Sequence, residues 1–293
     1  MVYFWLLPVY IAWYYIIPKV AGGKIYSSLA ARLAFIMFIV FSVLVGLHHQ
    51  YADPGITNIY KAVYAFFTFM VALPSLITAF TVAASLEYAA RQRGGNGLFG
   101  WWLKLPWGNY LFAFAIAGMI AFIFGGISGI VNASYNMNQV VRNASWVPGH
   151  FHLTVGSAVF LTFPGLSLYL LNKLFGKKVF INTLSVLGAY MWLIGVLIFS
   201  WGMMQIGRAG IPRRTNLGFS PYITEEERIF MVIAAVGGII MFISLVIFLI
   251  NFLGTLFRKK EENVEVVEID YDLSPVWDNW KVWIGIAVFI RLL

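Results

Sequence analysis

Long runs of apolar residues separated by short polar stretches dominate the chain. A helix needs about 20 apolar residues to cross the hydrocarbon core of a bilayer. By this measure the chain has about eight candidate spans, at residues 3–17, 33–47, 60–90, 110–131, 151–171, 180–204, 229–257 and 280–293. The runs are continuous, whereas the strands of a membrane barrel alternate apolar and polar residues. We therefore predict an all-α fold, a polytopic transmembrane helix bundle that forms a single domain over residues 1–293.

The first and last of these spans are short. The first is expected to stop at Pro18, and the last reaches Leu293 without a polar tail. Residues 1–5 have neither the basic region nor the cleavage site of a secretory signal peptide. Both ends are therefore expected to be truncated, which makes the chain part of a longer membrane protein.

The composition excludes a soluble protein. The chain is 61% hydrophobic and 11% charged, with a mean hydropathy of +0.82, whereas soluble domains carry about 25% charged residues. It has no cysteine, which excludes disulfides, thiolate-bound metals and a cysteine nucleophile. The net charge of +8 comes from basic residues between the apolar runs, a pattern that favours membrane orientation over nucleic-acid binding.

The basic residues are distributed unequally between alternate loops. The richer set comprises Lys19, Lys24, Arg32, Arg91, Arg93, Lys104, Lys173, Lys177, Lys178, Arg258, Lys259, Lys260 and Lys281. The poorer set comprises Lys61, Arg142, Arg208, Arg213, Arg214 and Arg228. The positive-inside rule predicts that the first set is cytoplasmic, in a multi-pass protein of a prokaryotic plasma membrane. The loops at 52–55 and 211–214 are then expected to face outward.

All four histidines lie in two pairs at the ends of predicted spans, and ionisable residues there are functional by default. The adjacent pair His48 and His49 can bind one metal ion beyond a helix end, and imidazole suits copper. His150 and His152 are about 200° apart on a regular helix. Each is therefore expected to bind a separate centre, for which haem is the obvious candidate.

The surroundings of His150 and His152 are consistent with a planar cofactor. Pro148 and Gly149 are expected to break the start of the helix. Arg213 and Arg214 lie in an outward loop, where haem propionates need cationic partners. Three glycines are expected to leave room for a flat ligand, namely Gly149, Gly156 and Gly165.

Three segments resemble subunit I of the haem-copper oxidases. Residues 147–153 (VPGHFHL) resemble its haem-ligating helix, and residues 46–55 (GLHHQYADPG) resemble its copper-binding segment. Residues 2–8 (VYFWLLP) resemble the helix that carries the active-site tyrosine. The resemblance extends along essentially the whole chain and is closest to the b-type branch of the family.

The resemblance implies a role for each matching residue. His48 and His49 match ligands of the active-site copper, His150 the ligand of the high-spin haem iron, and His152 a ligand of the low-spin haem iron. Tyr3 matches the tyrosine that supplies an electron and a proton to dioxygen. Arg213 and Arg214 match the pair that holds the haem propionates. A polar proton path from the cytoplasmic side is matched by Tyr10, Tyr14, Ser27, Thr78 and Thr81.

The implied activity is that of a terminal respiratory oxidase of the cytochrome c oxidase type. Such an enzyme reduces dioxygen to water at a haem–copper centre, coupled to proton uptake and translocation, with cytochrome c or a similar electron donor. The implied cofactors are two haems, one low-spin and one high-spin, and one copper ion. The implied partners are the remaining N-terminal helices of subunit I, a subunit II with the electron-entry site, and the lipid bilayer, with no nucleic acid.

The chain departs from the family pattern in two respects. The third copper histidine and the second axial ligand of the low-spin haem would precede Met1, so the chain alone is expected to be inactive. Asn138 and Arg142 stand where close relatives often carry an acid and a histidine. Arginine stays protonated, so Arg142 is not expected to shuttle protons.

Three other interpretations remain open. A nitric oxide reductase-like member of the family shares the histidine pattern, binds iron in place of copper and lacks the tyrosine. A polytopic transporter without redox chemistry would contain no haem. A cofactor-free remnant of a split gene would explain both truncated ends.

Overall fold

Helices account for nearly all of the chain that the computed structural model describes, which is residues 2–42, 45, 53–214, 223–261, 285 and 289, with side chains from residue 5 onward. The α-helices in these ranges are α1 (Val2–Val20), α2 (Ser28–Ser42), α3 (Asn58–Met70), α4 (Ala72–Gln92), α5 (Tyr110–Ala133), α6 (Tyr135–Val141), α7 (Trp146–Phe151), α8 (Phe160–Phe175), α9 (Asn182–Arg208) and α10 (Glu225–Leu256). A 3₁₀-helix covers Gly100–Lys104, and a π-helix at His152–Val159 joins α7 to α8. Within the described ranges the extended backbone is limited to one isolated bridge, between Ala144 and Pro212. The predicted all-α fold is confirmed.

Five helical stretches among the described residues are long and apolar enough to cross a membrane. They are Asn58–Gln92, Tyr110–Ala133, Trp146–Phe175, Asn182–Arg208 and Glu225–Leu256. The shorter apolar helix Ser28–Ser42 begins five residues before the predicted start at residue 33, because Ser27 Oγ accepts a hydrogen bond from Ala30 N (3.1 Å) and caps it. The predicted span at 280–293 lies outside the described residues except for two positions.

The prediction that Pro18 stops the first span is wrong. Pro18 lies inside α1, which continues to Val20. Proline deprives the Tyr14 carbonyl of its helical hydrogen bond, but the apolar packing of Ile17 and Val20 keeps the last turn in place. The turn after α1 contains Gly22 in a left-handed conformation (φ 80°), which glycine adopts at little cost.

The predicted span at 60–90 is two consecutive helices. Val71 ends α3 and precedes α4. Pro74 is the physical reason, because it lacks the N–H that would bond to Met70 and its ring crowds that carbonyl. One turn further along α4, the Pro74 carbonyl accepts a hydrogen bond from Thr78 Oγ1 (2.8 Å).

The core lies where α1, α4, α5 and α8 meet. Trp13 is fully buried there, and its Nε1 donates to Thr162 Oγ1 (3.1 Å), which joins α1 to α8. The outer helix α10 packs mainly on α9 through small and polar residues such as Gly237 and Ser244, and most of its large apolar side chains are exposed. Such an outward apolar surface suits lipid contact.

Contacts between loops show which connections lie at the same end of the bundle. At one end, Arg142 forms an ion pair with Asp53, and Arg213 Nη2 donates to Asn143 Oδ1 (3.0 Å). At the other end, Asn182 Nδ2 donates to the Gly108 carbonyl (2.7 Å). This grouping matches the alternation that the charge pattern predicts, and which end faces the cytoplasm stays a prediction.

Candidate functional site

A continuous helical stretch, α7 followed by the π-helix, carries His150 and His152. The predicted break at Pro148 and Gly149 is wrong, since both residues lie in the first turn of α7. The first backbone N–H groups of a helix have no partner within it, so proline costs little there. The π-helical turn that begins at His152 was not predicted, and such turns are frequent at functional sites.

The His150 ring faces α5. Its Nδ1 lies 2.9 Å from Ser128 Oγ and 3.1 Å from the carbonyl oxygen of Gly125. Ser128 itself donates to that carbonyl (2.8 Å). A Cβ at Gly129 would lie 3.0 Å from His150 Cε1, so the glycines of α5 make room for the imidazole.

The His152 ring faces a different helix, α9. Its centroid lies 4.6 Å from that of Phe199, and its Nδ1 lies 2.7 Å from the Pro148 carbonyl oxygen. A carbonyl oxygen only accepts hydrogen bonds, so Nδ1 carries the proton in His152, and the Gly125 carbonyl favours the same tautomer in His150. In this tautomer the lone pair is on Nε2, which is the atom that ligates a metal.

Two of the three glycines expected to make room for a cofactor serve helix packing instead. A Cβ at Gly149 would lie 3.0 Å from the Ser200 carbonyl, and one at Gly165 would lie 2.7 Å from Phe114 Cβ. That part of the prediction is wrong, because these positions bring α7 against α9 and α8 against α5. A Cβ at Gly156 would meet only the preceding turn, with Phe151 O at 3.4 Å.

Gly156 borders open space on the His152 side of the helix. It lines an apolar groove of about 570 Å³ between the π-helix, α8 and α10, together with Val155, Val159, Phe160, Phe163, Pro164, Ser167, Phe248 and Phe252. The apolar lining of this groove suits the flat, largely apolar face of a planar cofactor, although neither histidine is among the residues that line it. Among the three glycines that were expected to leave room for a planar ligand, Gly156 is the one that borders open space.

Both arginines of the predicted propionate site lie close to the start of the histidine helix. Residues 143–145 pair with residues 211–213 through Arg213 N to Asn143 O (2.7 Å) and Ser145 N to Ile211 O (3.0 Å). Arg213 is half-buried and Arg214 is exposed. This pairing places Arg213 beside Asn143, which precedes His150 by seven residues, and Arg214 follows Arg213 in the same loop, so both cations belong to the loop that pairs with the entry to α7, a position that suits anionic groups.

The predicted proton-path residues on α1 and α4, namely Tyr10, Tyr14, Thr78 and Thr81, are buried, and one pair of them forms a hydrogen bond between the two helices. The Tyr14 hydroxyl donates to Thr78 Oγ1 (2.6 Å). Tyr10 precedes Tyr14 by one turn of α1 and is likewise buried. Thr81 follows on α4, fully buried, and its hydroxyl has no hydrogen-bond partner among the described residues. Ser27 lies at the start of α2, half-buried.

Sequence reasoning missed three residues of this region. Ser85 extends the α4 line by one turn and accepts a hydrogen bond from Tyr26 N (2.8 Å). Ser128 hydrogen-bonds to His150, and Phe199 packs on His152. Ser128 could have been found from the sequence, because it is a hydroxyl residue within the apolar run 110–131. Phe199 could not, because nothing in the sequence distinguishes it from the other aromatic residues of α9.

The remaining predicted site residues lie outside the described side chains. The backbone of Tyr3 belongs to α1 but its side chain is not described, and His48 and His49 lie outside the described residues. Within the ranges that are described, no three histidine or acidic side chains converge as a metal site. Asp53, four residues after His49, forms an ion pair with Arg142. Asn138 donates from Nδ2 to the Asn132 carbonyl (2.7 Å).

Comparisons with known proteins identify the family. The profile of Cytochrome C and Quinol oxidase polypeptide I matches residues 1–240. A cytochrome c oxidase subunit 1 of Thermus thermophilus is 44% identical over all of this chain and 54% of its own length. The subunit 1 of Bacillus subtilis is 24% identical over 87% of this chain and 38% of its own length. The chain therefore belongs to the cytochrome c and quinol oxidase polypeptide I family.

A solved structure confirms the fold. The cryo-EM structure of a heme-copper terminal oxidase dimer contains a chain that is 45% identical to this one, with a TM-score of 0.88. The match covers 98% of this chain and 53% of that chain. The chain thus spans about half the length of the relatives it matches, and it has the fold of the part of that oxidase chain with which it aligns.

Proposed function

We propose that the chain contributes the C-terminal part of the catalytic subunit of a terminal oxidase that reduces dioxygen to water. One observation carries the proposal. His150 and His152 face different helices, and each Nδ1 lies within hydrogen-bonding distance of a backbone carbonyl. One helical stretch therefore presents two imidazole Nε2 atoms on two flanks, which is what two separate haem centres need.

The residue roles follow from this arrangement. His150 would hold a high-spin haem iron, His152 a low-spin haem iron, and His48 and His49 a copper ion. When bound, these groups supply electron transfer and the binding of dioxygen. Ser128 and the Gly125 carbonyl fix the ring of His150, and the Pro148 carbonyl fixes that of His152, so both ligands are oriented in advance.

Two further sets of residues would bind the haem propionates and transfer protons. Arg213 and Arg214 would neutralise haem propionates near the start of α7. Tyr14, hydrogen-bonded to Thr78, would pass protons along a line that runs from Ser27 and Thr81 to Tyr10 and Tyr3. Tyr3 would supply a proton and an electron to the reaction, and cytochrome c or a similar donor would deliver electrons through a second subunit at the plasma membrane.

Oxygen consumption by the assembled complex tests the proposal. The His150→Ala variant is expected to lose more than about 99% of the activity, because removal of a ligand removes its centre. Thr68→Ala is the control, since Thr68 lies on α3, outside the histidine helix and the groove, and its hydroxyl donates to the local Tyr64 carbonyl (2.6 Å). Full oxygen consumption by His150→Ala would refute the proposed function.

A further inference from the structure

The connection between α4 and α5, residues 93–109, displays large apolar side chains at an end of the bundle. Leu98, Phe99 and Leu103 are 77%, 79% and 82% exposed. Trp102 in the same loop is also exposed. A loop in water would normally turn such side chains inward, so their display requires an explanation.

The loop is held firmly in this arrangement. Trp101 Nε1 donates to Leu98 O (3.0 Å), and Trp107 Nε1 donates to Trp102 O (2.9 Å). The Trp102 and Trp107 rings stack at 5.7 Å. These contacts hold residues 93–109 in one arrangement, here called the platform, which keeps the apolar side chains exposed.

Two further contacts attach the platform to the bundle. The Tyr190 hydroxyl donates to the Trp107 carbonyl (3.0 Å), and Leu105 is buried in the core. A Cβ at Gly95 would lie 2.8 Å from Trp101 Cα, so the start of the loop also packs closely. The platform thus has a fixed height relative to the ends of α4 and α5.

Charge and position identify what covers this surface. The loop carries the exposed cations Arg93 and Lys104 and no acidic residue. It joins the ends of two stretches, Asn58–Gln92 and Tyr110–Ala133, that are long enough to cross a membrane. Tryptophan, aliphatic side chains and cations at the end of a span suit the boundary between acyl chains and phosphates.

We propose that the α4–α5 loop is an interfacial anchor for an anionic lipid leaflet. Leu98, Phe99 and Leu103 enter the upper acyl region, and Arg93 and Lys104 bind lipid phosphates. The inference does not depend on the proposed oxidase function, since it uses no residue of the histidine site. Its effect is to fix the depth of α4 and α5 in the membrane.

Fluorescence quenching at single cysteines tests the anchor, because the chain has no native cysteine. The full chain is reconstituted in vesicles of phosphatidylcholine and phosphatidylglycerol after labelling at Leu103→Cys, with Phe99→Cys as a second position. Asn96→Cys in the same loop is the matched control, and the cysteine-free chain gives the background. The labels at 99 and 103 are expected about 5–10 Å below the phosphates, quenched by lipid-attached nitroxide more than by aqueous iodide, with the reverse order at 96.

Two results would overturn the proposal. Iodide quenching at 103 equal to that at 96 would show an aqueous loop, and protection from both quenchers would show a protein cover. The role of the cations is tested in the Leu103→Cys background with Arg93→Gln and Lys104→Gln. These changes are expected to raise iodide quenching in anionic vesicles and not in pure phosphatidylcholine, and an unchanged signal in anionic vesicles would exclude binding of lipid phosphates.

Discussion

Hydrogen bonds at Nδ1 decide what His150 and His152 can do. Backbone carbonyls lie within hydrogen-bonding distance of both Nδ1 atoms, so each ring favours the tautomer with its lone pair on Nε2. The sequence predicted that the two rings face different sides, because their spacing on any helix sets them far apart. It did not predict the acceptors, since Gly125 is distant in sequence and the Pro148 carbonyl is available only because the chain is helical there.

The hydroxyl pair between α1 and α4 gives a prediction for proton supply. Tyr14→Phe removes the donor to Thr78 (2.6 Å) and preserves the ring, so the fold is expected to lose only about 1 kcal/mol. Turnover of the assembled complex is expected to fall about tenfold or more, because the relay loses a hydroxyl. Oxygen consumption under saturating electron donor measures the effect.

Tyr15→Phe is the control for that experiment. Tyr15 is the next residue on α1 and is 43% exposed, so it lies away from the buried line. Its variant is expected to keep activity within about twofold. Equal activities for the two variants would place proton delivery elsewhere.

Glycine roles show where residue-level prediction failed. Gly149 and Gly165 were expected to border a cofactor, yet a Cβ at either position would meet a neighbouring helix at 3.0 Å or less. Small residues serve both close helix packing and cofactor clearance. Only the tertiary arrangement of α5, α8 and α9 distinguishes the two uses.

Helices follow the apolar pattern except where proline intervenes. Pro74 divides a predicted span into α3 and α4, whereas Pro18 stays inside α1. The difference depends on tertiary packing, because Ile17 is fully buried and Val20 nearly so. The π-helix at His152–Val159 had no signal in the sequence, since its registry depends on contacts with α5 and α9.

The α9–α10 pair offers a prediction at the scale of elements. A Cβ at Gly237 would lie 2.6 Å from the Gly195 carbonyl and would crowd Phe199 N. Gly237→Leu is therefore expected to separate the helices at a cost of about 1–3 kcal/mol. Because Phe199 packs on His152, the visible spectrum of the low-spin haem is expected to change as well.

Val236→Leu is the matched variant, because Val236 precedes Gly237 on α10 and is 45% exposed. It is expected to unfold at the parental temperature in detergent and to keep the parental spectrum. If Gly237→Leu behaves identically to Val236→Leu in both measurements, the packing argument fails.

At the scale of the whole molecule, the orientation across the membrane can be tested at residues near the two ends of α10. Glu225 and Lys259 are both exposed, and the basic loops are predicted to be cytoplasmic. A membrane-impermeant maleimide on intact cells is expected to label Glu225→Cys and to label Lys259→Cys only after permeabilisation. The opposite order of labelling would reverse the predicted topology.

For the molecule as a whole, part of the fold and of the candidate site could be predicted from the sequence. Composition and apolar spans predicted the all-α membrane fold, and the resemblance of three segments predicted the family; the match to residues 1–240 and a TM-score of 0.88 confirm both. The arrangement of Arg213 beside Asn143 required the fold, since it depends on a loop pairing between residues 70 positions apart. The individual ligand roles stay predictions.

The central claim is that one helical stretch holds two haems through separate histidines. Reduced-minus-oxidised and carbon monoxide difference spectra of the assembled subunit test it most directly. We expect His152→Ala to lose the six-coordinate low-spin signal and keep a carbon monoxide-reactive haem, and His150→Ala to show the converse. Loss of the same signal in both variants, or of none in either, would contradict the account.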